Sequence, residues 1–207
     1  AVSNALQAAG GIPVVKHFPG HGDTVVDSHM GLPVVDKSLE DLSLQELPPF
    51  RDLISGGETP SGRAEAVPAV MVAHILMTQL DPDLPASLSP AVVTDLLRGE
   101  LGFGGVVFTD DLTMGAITQN YGLGEAAVLA VEAGCVMLLV CHGRDSVDAA
   151  RSALLEAAAS GRISQARLDE SVRRILSLKL EYGVSGEPVS APDLNALNAL
   201  VDAVAAQ

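Results

Sequence analysis

Four short, continuously apolar runs, each followed by a stretch with helical spacing, constrain this chain more than any other feature. The runs are IPVVKH (residues 12–17), AVMVAH (69–74), GVVFTD (105–110) and VMLLVC (136–141). Each is mostly β-branched or Leu/Met and ends on a polar residue. None alternates apolar with polar, the pattern expected of strands covered on both faces. Between and after them lie helical segments at residues 38–55, 89–101, 125–133, 146–159 and 164–182. The first opens on Ser38 with Asp41 three residues on, a capping arrangement, and Pro48 and Pro49 split it into two pieces. The second opens Ser-Pro, with Ser89 as cap and Pro90 in the first helical position.

This β-α-β-α order calls for parallel strands joined by right-handed crossovers. The fold class is α/β, and four such units make half of an eight-stranded (β/α)₈ barrel of the TIM type. Residues 1–184 are expected to form this partial barrel, and 185–207 a tail or an extra helix. Residues 56–67 form a polar surface excursion before the second strand. The chain opens on AVSNALQAAGG, a helix tail with its glycine stop, so a preceding segment is expected.

The formal net charge of −14 disfavours nucleic acid and anionic membranes as partners. No apolar stretch reaches the eighteen or so residues that a membrane span needs. Cys135 and Cys141 lie six apart in one strand-like run, roughly 20 Å if extended, too far for a disulfide, so both are expected as core thiols.

Active sites of parallel β/α folds gather where strands end and loops begin. Three of the four strands end on a titratable group: His17, His74 and Asp110. GVVFTDD places Asp110 and Asp111 at a strand tip, where a carboxylate on rigid backbone can act as a nucleophile towards an anomeric carbon. Adjacent residues of a strand point to opposite sides, so one aspartate faces the barrel axis while the other is free to cap LTMGAI. Spacing does not say which.

The first strand runs into KHFPGHGDTVVDSH, which holds three histidines and two aspartates. Asp27 and His29, two apart in an extended segment, project the same way, and the carboxylate can then hold the imidazole for proton transfer. Gly20 and Gly22 permit a loop that moves over a ligand. His17, His21, Asp27, His29, His74 and Asp110 are also ligand types for a divalent ion. Lys16 beside His17, and the lack of an HxH pair on a strand, argue against that rival. No metal and no other cofactor is expected.

With these residues in view, the chain resembles the β-N-acetylglucosaminidases of glycoside hydrolase family 3. The resemblance rests on KHFPGHGDT with VDSH, VMVAH, GFGGVVFTDDLTMGAI, MLLVC and the closing helix RISQARLDESVRRIL, and covers nearly all of residues 11–183. It implies Asp110 as nucleophile, His29 as a histidine acid/base and Asp27 as its dyad partner. It further implies Lys16 and His17 as donors to sugar hydroxyls, with His74 and Met114 lining the same pocket. The implied activity is retaining hydrolysis of terminal β-linked N-acetylglucosamine, from peptidoglycan fragments, on a small carbohydrate or muropeptide substrate. A β-glucosidase, a phosphorylase of the same family and a non-catalytic sugar-binding remnant are the alternatives. The glucosidases carry Ser-Asp-Trp at the nucleophile, and this sequence has no Trp.

The family barrel begins before the KHFPGHG strand. Four strands alone leave two unpaired edges. The expectation is therefore a chain that is poorly stable or self-associates, with weak or no activity by itself.

Overall fold

The computed structural model describes residues 2–24, 26–59, 62–188 and 191–205. Its centre is a four-stranded sheet of β1 (Val14–Phe18), β2 (Ala69–Val72), β3 (Val106–Asp111) and β4 (Met137–Leu139), in that spatial order and parallel throughout. Each strand lies beside its predecessor, so successive right-handed crossovers lay their helices on one face. That singly wound order is a barrel wall of the TIM type in partial form, not a doubly wound sheet, whose strand order reverses at a switch point.

The helices fall where the patterns predict. α1 (Val2–Ala8) precedes β1, and α2 (Leu39–Gln45) and α3 (Leu47–Ser55) join β1 to β2. α4 (Ala91–Glu100) and α5 (Leu123–Ala133) follow β2 and β3, and α6 (Arg144–Ala159) and α7 (Gln165–Glu181) follow β4. α8 (Leu194–Ala205) falls within the predicted tail and buries no side chain among its described residues.

Local chemistry explains most boundaries. The Ser38 hydroxyl accepts the Asp41 N–H at 3.1 Å and donates to the Asp41 carboxylate at 2.7 Å, opening α2. The break from α2 to α3 falls at Glu46, one residue before the prolines' own turn. Pro48 and Pro49 sit in the first turn of α3, where a missing N–H costs no helical hydrogen bond. α4 is wound with π spacing, its end marked by the Leu101 N–H on the Leu96 carbonyl at 2.9 Å. Gly134 ends α5 with φ of 117°, a conformation costly for a residue bearing a Cβ.

The core lies between the sheet and its helices. Phe18, Val70, Val72 and Val107 of the strands meet Leu42, Leu47, Phe50, Leu97 and Ala127 of the helices, all buried. Full burial of one such large side chain stabilises the fold by about 1.5–3 kcal/mol. A second cluster of Ala69, Val106, Val136 and Leu178 closes the opposite end of the strands.

Three expectations change. β2 stops at Val72 and β4 at Leu139, so His74 and Cys141 lie just beyond the strands. Both leave the ladder for a reason: the Ala73 carbonyl accepts the Ser87 N–H at 3.2 Å, and the Cys141 N–H donates to the Asp111 carboxylate at 2.9 Å. Cys135 is buried as expected, but Cys141 is exposed, because that turn carries it off the sheet. The polar excursion holds a small antiparallel pair, Gly57–Thr59 with Gly62–Ala64. Residues 60 and 61 of that excursion, and 189, 190, 206 and 207 of the predicted tail, lie outside the described residues.

A two-residue parallel bridge, Val34–Val35 with Leu76–Met77, was not foreseen. It ties the loop after β1 to the loop after β2, on the strands' C-terminal side. Among the described residues, no helix is long and apolar enough to cross a membrane.

Candidate active site

The strands are in register at their C-terminal ends: Phe18 pairs with Val72 and Val72 with Thr109, so Asp110 and Asp111 run past the last row shared with β2, and Asp111 pairs onward with Leu139 of β4. The period-two alternation of β3 then separates the two aspartates. Asp110 follows Phe108 on the half-exposed face, whereas Asp111 follows Thr109 on the buried one.

Asp111 spends its carboxylate on the protein. One oxygen accepts the Thr113 N–H at 3.0 Å and the Cys141 N–H at 2.9 Å, and the other accepts the Thr113 hydroxyl at 2.6 Å. Burial pushes this carboxyl up, but the hydrogen bonds from Thr113 and Cys141, with His142 nearby, outweigh it and hold the group below the usual carboxylate range. It caps the turn that leads into the short helix Gly115–Thr118. Asp110 is left facing the open side. Its Oδ1 accepts the Asp111 N–H at 2.8 Å, and its Oδ2 lies 3.6 Å from His17 Nε2.

His17 is half-buried beside it, and burial lowers its pKa against the pull of Asp110, helped by Lys16 and His21. Lys16 is exposed. His17 and His21 meet edge to face with centroids 5.8 Å apart. Met114 is buried at the start of the short helix. His74 is 0 % exposed, with Nδ1 2.6 Å from the Ser87 hydroxyl and Nε2 3.0 Å from the Asp111 carbonyl oxygen. Both ring nitrogens are thus engaged inside the protein.

The loop that carries Asp27 and His29 is anchored at both ends. Near its start, Lys37 pairs with Asp23 of the loop and Glu46 at the α2–α3 corner. Near its end, the Ser28 carbonyl accepts the Ala116 N–H at 3.0 Å, and the Met30 carbonyl accepts Gln119 Nε2 at 3.0 Å. The His29 carbonyl lies so close to Gly115 that a Cβ there would stand 2.5 Å from its oxygen. Asp27 and His29 are themselves exposed, and Asp27 Oδ1 accepts the main-chain N–H of His29 at 2.9 Å. The carboxylate therefore bonds the histidine's backbone here, an Asx-type contact, instead of its ring.

Among the described residues, no group of three or more His, Cys, Asp or Glu is placed to hold a metal ion. Of the residue types that suggested a metal, His17 lies beside Asp110 and His21, whereas His74 is committed to Ser87 and Asp111 and His29 is exposed on the loop. Sequence reasoning did not single out Ser87, Thr113, Lys37 or Gly115. Thr113 and Gly115 left a trace there, as a member of TDDLTM and as the glycine directly after it.

Known proteins give an independent view of this arrangement. The family model described as the glycosyl hydrolase family 3 N-terminal domain matches residues 1–178. A β-hexosaminidase of Tolumonas auensis is 41% identical over 144 residues, covering 70% of this chain and 40% of the relative. One of Neisseria meningitidis is 39% identical over 151 residues, covering 73% of this chain and 39% of the relative. A solved family 3 β-N-acetylglucosaminidase from a Paenibacillus species superposes with a TM-score of 0.83 at 49% identity, over 92% of this chain and 35% of that one. The β-N-acetylglucosaminidase of Thermotoga maritima gives 0.75 at 30% identity, over 89% and 38%. This chain thus spans about 40% of the curated relatives' length. With a strand-tip aspartate, a histidine-bearing loop and a family model matched over most of its residues, the chain belongs to glycosyl hydrolase family 3, as an N-terminal-type domain.

Proposed function

We propose that this chain carries the nucleophile and the acid/base loop of a retaining β-N-acetylhexosaminidase acting on terminal, non-reducing β-linked N-acetylglucosamine, as in peptidoglycan-derived fragments. The observation that carries the proposal is the division of labour at the β3 tip. Asp111 absorbs the local hydrogen-bond donors, so Asp110 faces the open side with a carboxylate oxygen to spare. The relatives' hexosaminidase names support the substrate class.

In the first step an Asp110 oxygen attacks the anomeric carbon as the glycosidic C–O bond breaks. The His29 imidazolium protonates the departing oxygen. In the second step neutral His29 takes a proton from water, whose oxygen attacks the anomeric carbon and releases the Asp110 carboxylate. Two turnover steps with one shuttling proton regenerate both groups. Asp27 holds the His29 backbone and orients the loop, and Lys16 and His17 donate to sugar hydroxyls at the strand tip. Met114 supports the pocket wall from within the core. Residues 1–184 act as the partial barrel domain and 185–207 as an appended segment. The open edges of β1 and β4 are completed by further β/α units, from the rest of a family barrel or a second copy.

The test, on the protein with its barrel completed by those further β/α units, is hydrolysis of an aryl β-N-acetylglucosaminide against the matching β-glucoside, by the wild type and by Asp110→Ala. We expect strong preference for the acetamido sugar, loss of turnover in the variant, and return of product as a glycosyl azide when azide is added. Turnover that survives in Asp110→Ala places the nucleophile elsewhere. Cleavage of neither sugar leaves a non-catalytic binding module.

A further inference from the structure

Behind Asp110 runs a buried hydrogen-bonded chain that the glycosidase chemistry above does not use. Ser87 sits in the one-turn helix Ala86–Leu88, and His74 lies just past β2. Both are 0 % exposed, and Asp111 is 8 % exposed. A carbonyl oxygen only accepts, so the 3.0 Å contact from His74 Nε2 to the Asp111 carbonyl puts the ring proton on Nε2. In the neutral ring Nδ1 is then bare, and the Ser87 hydroxyl donates to it across 2.6 Å. Burial lowers the pKa of His74 against the opposing pull of the Asp110 and Asp111 carboxylates, in keeping with a neutral ring.

The chain ends on a residue held at every polar atom. The Asp111 carbonyl accepts from His74 and from the Met114 N–H, each at 3.0 Å, its carboxylate accepts from Thr113 and Cys141, and its N–H donates to Asp110 Oδ1 at 2.8 Å. The peptides on either side of Asp111 are therefore clamped, and one clamp is the only hydrogen bond that aims an Asp110 oxygen from the main chain among the described contacts. We propose that His74, as a neutral Nε2–H imidazole braced by Ser87, is a positioning residue that fixes Asp111 and through it the orientation of the Asp110 carboxylate. The proposal rests on Asp110 as nucleophile. It gives His74 a part in turnover without contact with the sugar.

Two kinds of measurement separate this from the activity itself. The first is nitrogen NMR of the histidines in the wild-type chain. His74 should show the Nε2–H tautomer at neutral pH and a titration midpoint below the ordinary 6.5. The second compares His74→Phe, which removes both contacts, with His74→Gln, which keeps a donor near the Nε2 position. His74→Phe should exchange the Asp111 amide proton about tenfold faster than wild type. It should also lower kcat by about 10²-fold, the scale of a small misplacement of a reacting group, with KM within about two-fold. His74→Gln should recover most of both losses, and Ser87→Ala should fall between.

An Nδ1–H tautomer, a ring that titrates at or above the ordinary 6.5, or Phe and Gln variants with equal amide exchange and equal kcat would each overturn the proposal. If the wild type cleaves no glycoside, the function proposed above fails, and the tautomer and amide exchange alone decide the role of His74. If His74→Phe does not fold, Ser87→Ala and the wild-type tautomer carry the decision.

Discussion

Replacing Gly115 by alanine perturbs the histidine loop through a single added methyl group. The new Cβ would stand 2.5 Å from the His29 carbonyl oxygen, 2.9 Å from Gln119 Nε2 and 3.2 Å from the His29 carbonyl carbon. An ordinary carbon–oxygen contact is about 3.3–3.6 Å, so one side must give by about 1 Å. The short helix is pinned by buried Met114 and Ile117 and by the Asp111–Thr113 hydrogen bonds, whereas the loop is exposed at His29 and Met30. The loop therefore moves. Its lift strains the Ala116-to-Ser28 and Gln119-to-Met30 hydrogen bonds, both 3.0 Å long. Each contributes about 0.5–1.5 kcal/mol. Alanine recovers up to about 1 kcal/mol of helix propensity, so the net loss of stability is about 0–3 kcal/mol. A His29 displaced by about 1 Å loses about 10²-fold in turnover. Urea unfolding and steady-state hydrolysis of the aryl N-acetylglucosaminide read the two effects separately. Gly104→Ala is the control, since a Cβ there meets nothing within 4 Å. A Gly115→Ala protein with wild-type kcat would refute the argument, as would a stability loss of about 4 kcal/mol or more, which would mean that the helix yields instead.

Acid should weaken the fold in two stages. His17 and His74 have lowered pKa values, so below the ordinary 6.5 the unfolded chain takes protons that the folded chain refuses. Stability then falls as pH drops below about 6.5 and levels once the folded histidines charge. Asp111, held low, adds a second loss as pH falls through its depressed value below 3.8. Urea midpoints that stay flat from neutral pH down to about pH 5 would contradict the first stage. The two thiols should also differ. Burial pushes Cys135 up to about 12, and desolvation with the Asp111 and Asp110 carboxylates raises exposed Cys141. A maleimide should label Cys141 alone in the native chain, more slowly than after unfolding, and native labelling of both cysteines would contradict the packing of α5 against β4.

The order of strands and helices was legible in the sequence because both periodicities are local. The runs at 12–17, 69–74, 105–110 and 136–141 state strands through their own side chains, and Ser38, Ser89 and Ser164 announce helix starts within one turn. The meeting of His17 and Asp110 at one end of the sheet was legible too, since parallel β/α units send their C-terminal ends to one side. Sequence left open which of Asp110 and Asp111 is free, because period-two alternation says only that they part. The register of β3 against its neighbours decided it, setting the second aspartate beneath the Cys141 N–H, 30 positions further along. Likewise the family resemblance implied His74 as a pocket residue, and only the folded chain brings Ser87 and the Asp111 carbonyl to its two nitrogens. The same holds for Gly115, whose missing Cβ matters because His29, far away in sequence, rests against it. Patterning is set by neighbours in the chain, whereas a hydrogen bond's partner is set by where two strands come to lie side by side.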